Sequence, residues 1–127
     1  MSWRIIAAVA SLVSAWIHFD LWRSGTAASV ALVNGAFVLN AVAGVVIAVL
    51  LITWRSWVPG FLVAGFGLST LGALVIASTV GLFGYHEAWT GPFVWISAIA
   101  EVVCIGTGAR LLLATRPSDA RLQHHAA

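Results

Sequence analysis

Four long apolar segments dominate this chain, and each is long enough to cross a lipid bilayer. They cover about residues 3–22, 28–53, 58–83 and 92–113, whereas a transmembrane helix needs about 20 mainly apolar residues. Because lipid offers no partner to backbone N–H and C=O groups, a spanning segment must be a helix or a strand of a closed barrel. The segments lack the alternating pattern of barrel strands. The sequence therefore predicts an all-α integral membrane protein, with four transmembrane helices in an antiparallel up-down bundle.

Composition excludes several other classes of protein. Of 127 residues, 61% are hydrophobic and only 8% are charged, far from the usage of soluble domains. The net charge of +2 comes with six arginines and no lysine, so we expect no nucleic-acid partner, since that needs a clustered basic patch. The single cysteine, Cys104, excludes an intramolecular disulfide. We expect the lipid bilayer to be the main partner.

The arginines are unevenly divided between the two ends of the predicted bundle. Only Arg23 lies at one end, and the other end has Arg4, Arg55, Arg110, Arg116 and Arg121. Cytoplasmic loops carry an excess of positive residues, so both termini are predicted to be cytoplasmic. The arginine-rich, lysine-free composition favours a bacterial inner membrane. A transmembrane domain over residues 1–116 is followed by a polar tail over 117–127, which we expect to be flexible.

Two polar islands interrupt the apolar pattern, and this topology places both on the outer side. They read SAWIHFDLWRSG over residues 14–25 and FGYHEAWTGP over 83–92. His18, Asp20, His86 and Glu87 are therefore candidate metal ligands, because imidazole and carboxylate are the ligands of zinc, manganese and non-haem iron. His18 and His86 could instead hold a haem or another cofactor from two sides. The alternative is that all four are interfacial side chains, with Asp20 paired to Arg23.

A second polar pair lies deeper in the predicted bundle. Glu101 follows Pro92 by nine residues, which places it roughly 13 Å below the outer end of its helix. Asn40 is about twelve residues into the second helix and lies at a similar depth. An acid at the centre of a spanning helix is costly and usually functional. We interpret Asn40 and Glu101 as a buried polar, proton-linked pair, or else as interhelical glue in which a protonated Glu101 carboxyl group bonds to Asn40 or Ser97.

Small residues recur at every fourth position of the second and third segments. Such ridges let helix backbones approach closely in lipid, so we expect these two helices to pack tightly together, or to mediate a homo-oligomer or a larger membrane complex. The ridges contain Ala36, Asn40, Gly44 and Ala48, and Gly65, Ser69, Ala73, Ala77 and Gly81. Two polar stripes should also face the interior, namely Ser11, Ser14 and His18, and Ser97, Glu101, Cys104 and Gly108.

These patterns favour a small polytopic protein with an outward-facing polar site that binds a metal, a haem or a small redox ligand such as a quinone. One alternative is a non-catalytic accessory or assembly subunit of a larger membrane complex. Another is a small proton-coupled transporter that uses Glu101. No Ser-His-Asp order, phosphate loop or HExxH motif supports a hydrolase, so no catalytic residue is assigned and enzymatic activity stays open.

The predicted topology can be tested by cysteine labelling from outside the cell. In a Cys104→Ser background, single cysteines introduced in the turns around Gly25 and Trp89 should react with a membrane-impermeant maleimide, because both turns face outward. A cysteine at Ser56 should be protected until the membrane is permeabilised. Labelling of Ser56→Cys in intact cells would invert the topology.

Overall fold

The computed structural model describes residues 2–114, and this part of the chain forms four α-helices. The predicted tail, residues 117–127, lies outside the described residues. The helices are α1 (Trp3–Arg23), α2 (Ala31–Thr53), α3 (Val58–Thr79) and α4 (Pro92–Ala114). All four are long and apolar enough to cross a membrane. The prediction of an all-helical fold with four helices of spanning length is confirmed.

Two helix ends differ from the predicted boundaries because local turns take over. Helix α2 begins at Ala31 rather than near Ala28, because residues 24–29 form a series of turns in which Gly25 has a positive φ of 73°. Helix α3 ends at Thr79 rather than Phe83. Gly81 follows with a φ of 91°, a conformation that glycine adopts without steric cost and that ends the helix.

Arg4 joins the beginning of α1 to the end of α2. Its Nη1 donates hydrogen bonds to the carbonyl oxygens of Leu51 at 3.0 Å and Trp54 at 2.8 Å, and its Nη2 donates to Ser56 at 2.9 Å. The last carbonyls of a helix have no partner within the helix. One guanidinium group therefore satisfies the end of α2 and holds the following turn against α1.

The closest helix contacts join α1 to α2 and α3 to α4. Ser11 Oγ on α1 donates to the Gly44 carbonyl at 2.7 Å, and a Cβ at Gly44 would lie 2.7 Å from the Ala15 Cβ. Between α3 and α4, a Cβ at Gly67 would lie 2.6 Å from the Glu101 carbonyl oxygen. Small residues thus permit close backbone approach at both interfaces, as expected in lipid.

The predicted tight packing of α2 against α3 is wrong. These two helices have a smaller contact than α1 has with α2 or α3 with α4. Gly44 is used against α1 instead, and a Cβ at Gly65 would meet nothing within 4 Å. The spacing of small residues identifies a face that permits close approach, but it does not identify which helix will use that face.

The two predicted interior stripes are buried. Ser11, Ser14 and Cys104 have no exposed surface, and Glu101 is 1% exposed. His18 is 9% exposed at the outer end of its stripe. The polar residues of α1 and α4 therefore face the other helices, as their helical spacing indicates.

Substitution of Gly67 tests the close contact between α3 and α4. Gly67→Ala should lower the free energy of unfolding in detergent by about 1–3 kcal/mol, because the new methyl group forces the backbones apart. Gly65→Ala is the matched control on the same helix, and it should change the value by less than about 1 kcal/mol. Equal effects of the two variants in an unfolding titration would contradict this packing.

Candidate functional site

A central cavity of about 620 Å³ lies inside the bundle. All four helices and the α3–α4 loop line it, and its lining along α3 runs from Phe61 to Ala77, a length of about 24 Å. Leu39 and Phe61 line the cavity yet are 69% and 57% exposed. The cavity is therefore open to the surroundings between α2 and α3, where the helices make little contact.

Glu101 presents an unpaired carboxyl oxygen in the lining of this cavity. Ser97 Oγ donates to its Oε1 at 2.8 Å, whereas its Oε2 is buried and has no hydrogen-bond partner within residues 2–114. Ser97 precedes Glu101 by one turn of α4, so their bond lies within a single helix. The prediction of a bond to Ser97 is confirmed, but this bond does not join two helices and is not interhelical glue.

Asn40 lines the same cavity from α2. Its Nδ2 donates to Thr70 Oγ1 at 2.8 Å, and that hydroxyl donates in turn to the Phe66 carbonyl at 2.6 Å. Since the Thr70 proton is already used, the Asn40 amide must place its nitrogen towards Thr70. Its Oδ1 is left buried without a partner among the described residues. Asn40 and Glu101 do not bond to each other but have separate partners.

The contacts with α3 place Asn40 and Glu101 at similar depths. Asn40 bonds to Thr70, and the Glu101 carbonyl oxygen lies beside Gly67. These two α3 positions are three residues apart, or about 4.5 Å along the helix axis. The predicted similarity in depth is thus consistent with these contacts.

His18 reaches the cavity from α1. Its Nδ1 lies 2.7 Å from the Ser14 carbonyl oxygen, which can only accept, so Nδ1 carries a proton. In the neutral ring Nε2 is then an acceptor, and it makes no hydrogen bond to any described residue. The imidazole also packs at an angle of 66° against the ring of Phe37. Phe37 in turn contacts Tyr85 in the α3–α4 loop.

The α3–α4 loop closes one end of the cavity with Tyr85 and Glu87. Leu82 and Tyr85 exchange backbone hydrogen bonds around Phe83 and Gly84, both of which have a positive φ. The Tyr85 hydroxyl donates to Glu87 Oε2 at 2.6 Å. The Glu87 backbone N–H donates to the Ala77 carbonyl at 3.0 Å, so the loop is attached to the end of α3.

Asp20 and His86 do not line the cavity. Asp20 pairs with Arg23 at 3.0 Å on the surface, in agreement with the alternative derived from the sequence. The ring of His86 packs against Gly81, where a Cβ would lie 2.5 Å from the imidazole Cε1. Within residues 2–114, no group of three or more His, Cys, Asp or Glu side chains is arranged to hold a metal ion. His18, Asp20, His86 and Glu87 therefore do not form such a ligand group.

Several lining residues were missed by the sequence reasoning. Thr70 orients Asn40, Phe37 contacts both His18 and Tyr85, and Tyr85 holds Glu87. The sequence did offer one signal for Tyr85, because it lies beside a glycine turn and two residues before Glu87. Thr70 had no such signal, because its role depends on a contact between two helices.

Comparison with known proteins gives no assignment for the chain. No protein-family model matches it, and neither a curated protein nor a solved structure matches it significantly. The function of the chain is therefore inferred from the residues that line the central cavity.

Tyr85 is the only tyrosine of the chain, so its titration can be followed directly. Burial, followed by the hydrogen bond and the charge of Glu87, raises the pKa of Tyr85 well above its ordinary value of 10.0. This contribution to stability is present below the ordinary pKa and is lost as the pH rises through the folded-state pKa. Phenolate absorbance should show a late transition, and Glu87→Gln should shift it part of the way towards the ordinary value. An unchanged transition in Glu87→Gln would contradict the pairing.

Proposed function

We propose that this chain is a multi-pass membrane protein that binds a largely apolar small molecule in its central cavity. The observation that carries the proposal is the Glu101 carboxyl group, which lines the 620 Å³ cavity with one buried oxygen lacking a partner in the described chain. Small-molecule sites typically have volumes of about 300–1,000 Å³, apolar walls and a few polar groups. Asn40 and His18 supply two more such groups.

The unpartnered polar atoms of the cavity favour a ligand, although Asn34 Oδ1 is also buried and unpartnered within residues 2–114 and does not line the cavity. An acid in the middle of an apolar helix costs about 2.5–3.5 kcal/mol on insertion scales, and buried polar atoms are nearly always hydrogen-bonded. Glu101 Oε2 and Asn40 Oδ1 are both buried and unpartnered within residues 2–114. A ligand in the cavity would provide the missing partners and offset part of this cost.

The proposal moves the site inward from the outer histidines. His18 and Glu87 of the candidate outer group line the cavity together with Asn40 and Glu101, whereas His86 packs on Gly81. A metal ion has no group of three or more such ligands in the described residues, and His86, which would share a haem with His18, packs on Gly81 and is not in the cavity lining. The sequence led us to expect a metal, a haem or a small redox ligand, and we propose a small organic ligand, without a redox role, in their place.

The membrane arrangement that we propose is an antiparallel up-down bundle with both termini in the cytoplasm of a bacterial cell. Two contacts support the bundle, because Arg4 at the start of α1 bonds to Trp54 after α2, and Gly60 at the start of α3 lies beside Gly108 near the end of α4. The arginine distribution supports the orientation in the inner membrane.

A second candidate function is that of an assembly subunit. It is favoured by Gly72 on α3, which does not line the cavity and where an added Cβ would meet nothing within 4 Å, so that another helix could approach closely there. Light scattering of the purified protein tests assembly without altering the cavity. A stable oligomer that Gly72→Leu dissociates would support assembly, whereas a monomer unaffected by this change would oppose it.

Filling the cavity tests the proposed binding function. Ala73 lines the cavity on α3, and exposed Ala109 on α4 does not, so Ala73→Phe and Ala109→Phe form a matched pair. We expect saturable energy transfer from tryptophan to the neutral probe 1-pyrenemethanol in a non-ionic detergent. Ala73→Phe should weaken this binding by about tenfold or more, since it removes the space for the ring, and Ala109→Phe should preserve it.

Detergent micelles also take up the probe, but this background is the same for both variants. Only the saturable difference between the variants therefore reports the cavity. Transfer that does not saturate, or that is equal in the two variants, would contradict binding in the cavity.

A further inference from the structure

Four of the five hydroxyl groups that line the central cavity have already donated their protons within the protein. Ser69 and Thr70 donate to the Phe66 carbonyl at 3.2 and 2.6 Å. Ser97 donates to Glu101 at 2.8 Å, and Tyr85 donates to Glu87 at 2.6 Å. Since a hydroxyl has only one proton to donate, these four groups can offer a ligand only their lone pairs.

Most of the remaining polar groups of the lining also act as hydrogen-bond acceptors. Asn40 Oδ1 can only accept, and His18 Nε2 is an acceptor in the neutral ring because Nδ1 then carries the proton. Glu101 Oε2 accepts when the carboxylate is ionised. Two donors remain, namely the Thr90 hydroxyl, which makes no hydrogen bond to another described residue, and the second Nδ2 proton of Asn40. The described lining therefore offers a ligand more acceptors than donors.

The charged side chains of the lining favour a cationic ligand over an anionic one. Glu87 and Glu101 are acidic, and none of the described residues around the cavity is an arginine or a lysine. The walls also include the rings of Phe37, Phe66 and Phe93, whose faces attract cations. An anionic ligand would meet carboxylates without any counter-charge, whereas a cationic ligand would meet both carboxylates and aromatic faces.

We propose that the ligand of the central cavity is an organic cation with an apolar body and N–H donors, such as a protonated lipophilic amine, with Glu101 as its counter-ion. This inference rests on the proposed binding function and specifies its ligand class. The ammonium group has three donors and no acceptor, and it matches Glu101 Oε2 and Asn40 Oδ1. An oxidised quinone is a poorer match, because its carbonyl groups need donors and most hydroxyl protons of the lining are already used within the protein.

Three probes that share the same apolar pyrene ring but differ in charge test the effect of ligand charge on binding. They are 1-pyrenemethylamine, which is protonated at neutral pH, 1-pyrenemethanol, which is neutral, and 1-pyrenecarboxylic acid, which is anionic. Binding is measured at neutral pH by energy transfer from tryptophan, with the protein in a non-ionic detergent so that the micelle has no charge preference. The amine should bind about tenfold or more tightly than the alcohol, because hydrogen bonds to a charged group are the stronger ones, and the acid should bind most weakly.

Glu101→Gln tests the counter-ion without a change in side-chain shape. The variant should reduce the preference for the amine over the alcohol to less than about threefold while the alcohol still binds, because the charge is lost and the cavity remains. Asp20→Asn is the matched control, since it removes an acid that pairs with Arg23 outside the cavity. It should leave the preference for the amine unchanged.

The outcomes distinguish this inference from the binding function on which it rests. Equal binding of amine and alcohol to the unmodified protein would overturn the cationic ligand and leave the cavity as a binding site. An amine preference that persists in Glu101→Gln would overturn the role of Glu101. If none of the three probes shows saturable binding, the proposed function itself fails.

Discussion

The close backbone contacts at glycine determine the shape of this bundle. In lipid, apolar side chains gain little by contacting each other instead of the acyl chains, so helices associate where their backbones can approach closely. Gly44 permits that approach between α1 and α2, and Gly67 and Gly108 permit it between α3 and α4. The tightest contacts join these pairs, and α2 and α3 have a smaller contact that includes the bond between Asn40 and Thr70. The central cavity is the space that this unequal packing leaves.

The polar groups of the cavity follow from the same arrangement. Serine and threonine side chains in apolar helices commonly donate to a carbonyl one turn earlier, and Thr70 does so with Phe66. Each such bond uses the hydroxyl proton within the helix and leaves the hydroxyl oxygen able to act only as an acceptor. Together with the Glu101 carboxyl group, these side chains form an acceptor surface inside an apolar wall. The proposed preference for a cationic ligand therefore arises from ordinary helix hydrogen bonds combined with one buried acid.

The parts of the fold that depend on short stretches of sequence were predictable. The four helices, the burial of His18 and Glu101 and the surface pair of Asp20 with Arg23 follow from hydropathy and helical spacing. The partner of each small-residue face was not predictable, because Gly44 could face either neighbouring helix. The separation of His86 from the cavity also depends on a tertiary detail, the packing of its ring against Gly81. Local periodicity indicates which face is buried, whereas the partner depends on the shapes of all four helices together.

The open side of the cavity has a consequence for how a ligand would arrive. Leu39 and Phe61 stand exposed at the rim between two helices of spanning length, so in a bilayer this rim faces acyl chains rather than water. An apolar ligand would first dissolve in the membrane and then enter sideways. The relevant concentration would be that of the ligand in the lipid phase. For a lipophilic amine, this concentration far exceeds the one in the aqueous phase. Under these conditions a modest intrinsic affinity would be enough to keep the cavity occupied.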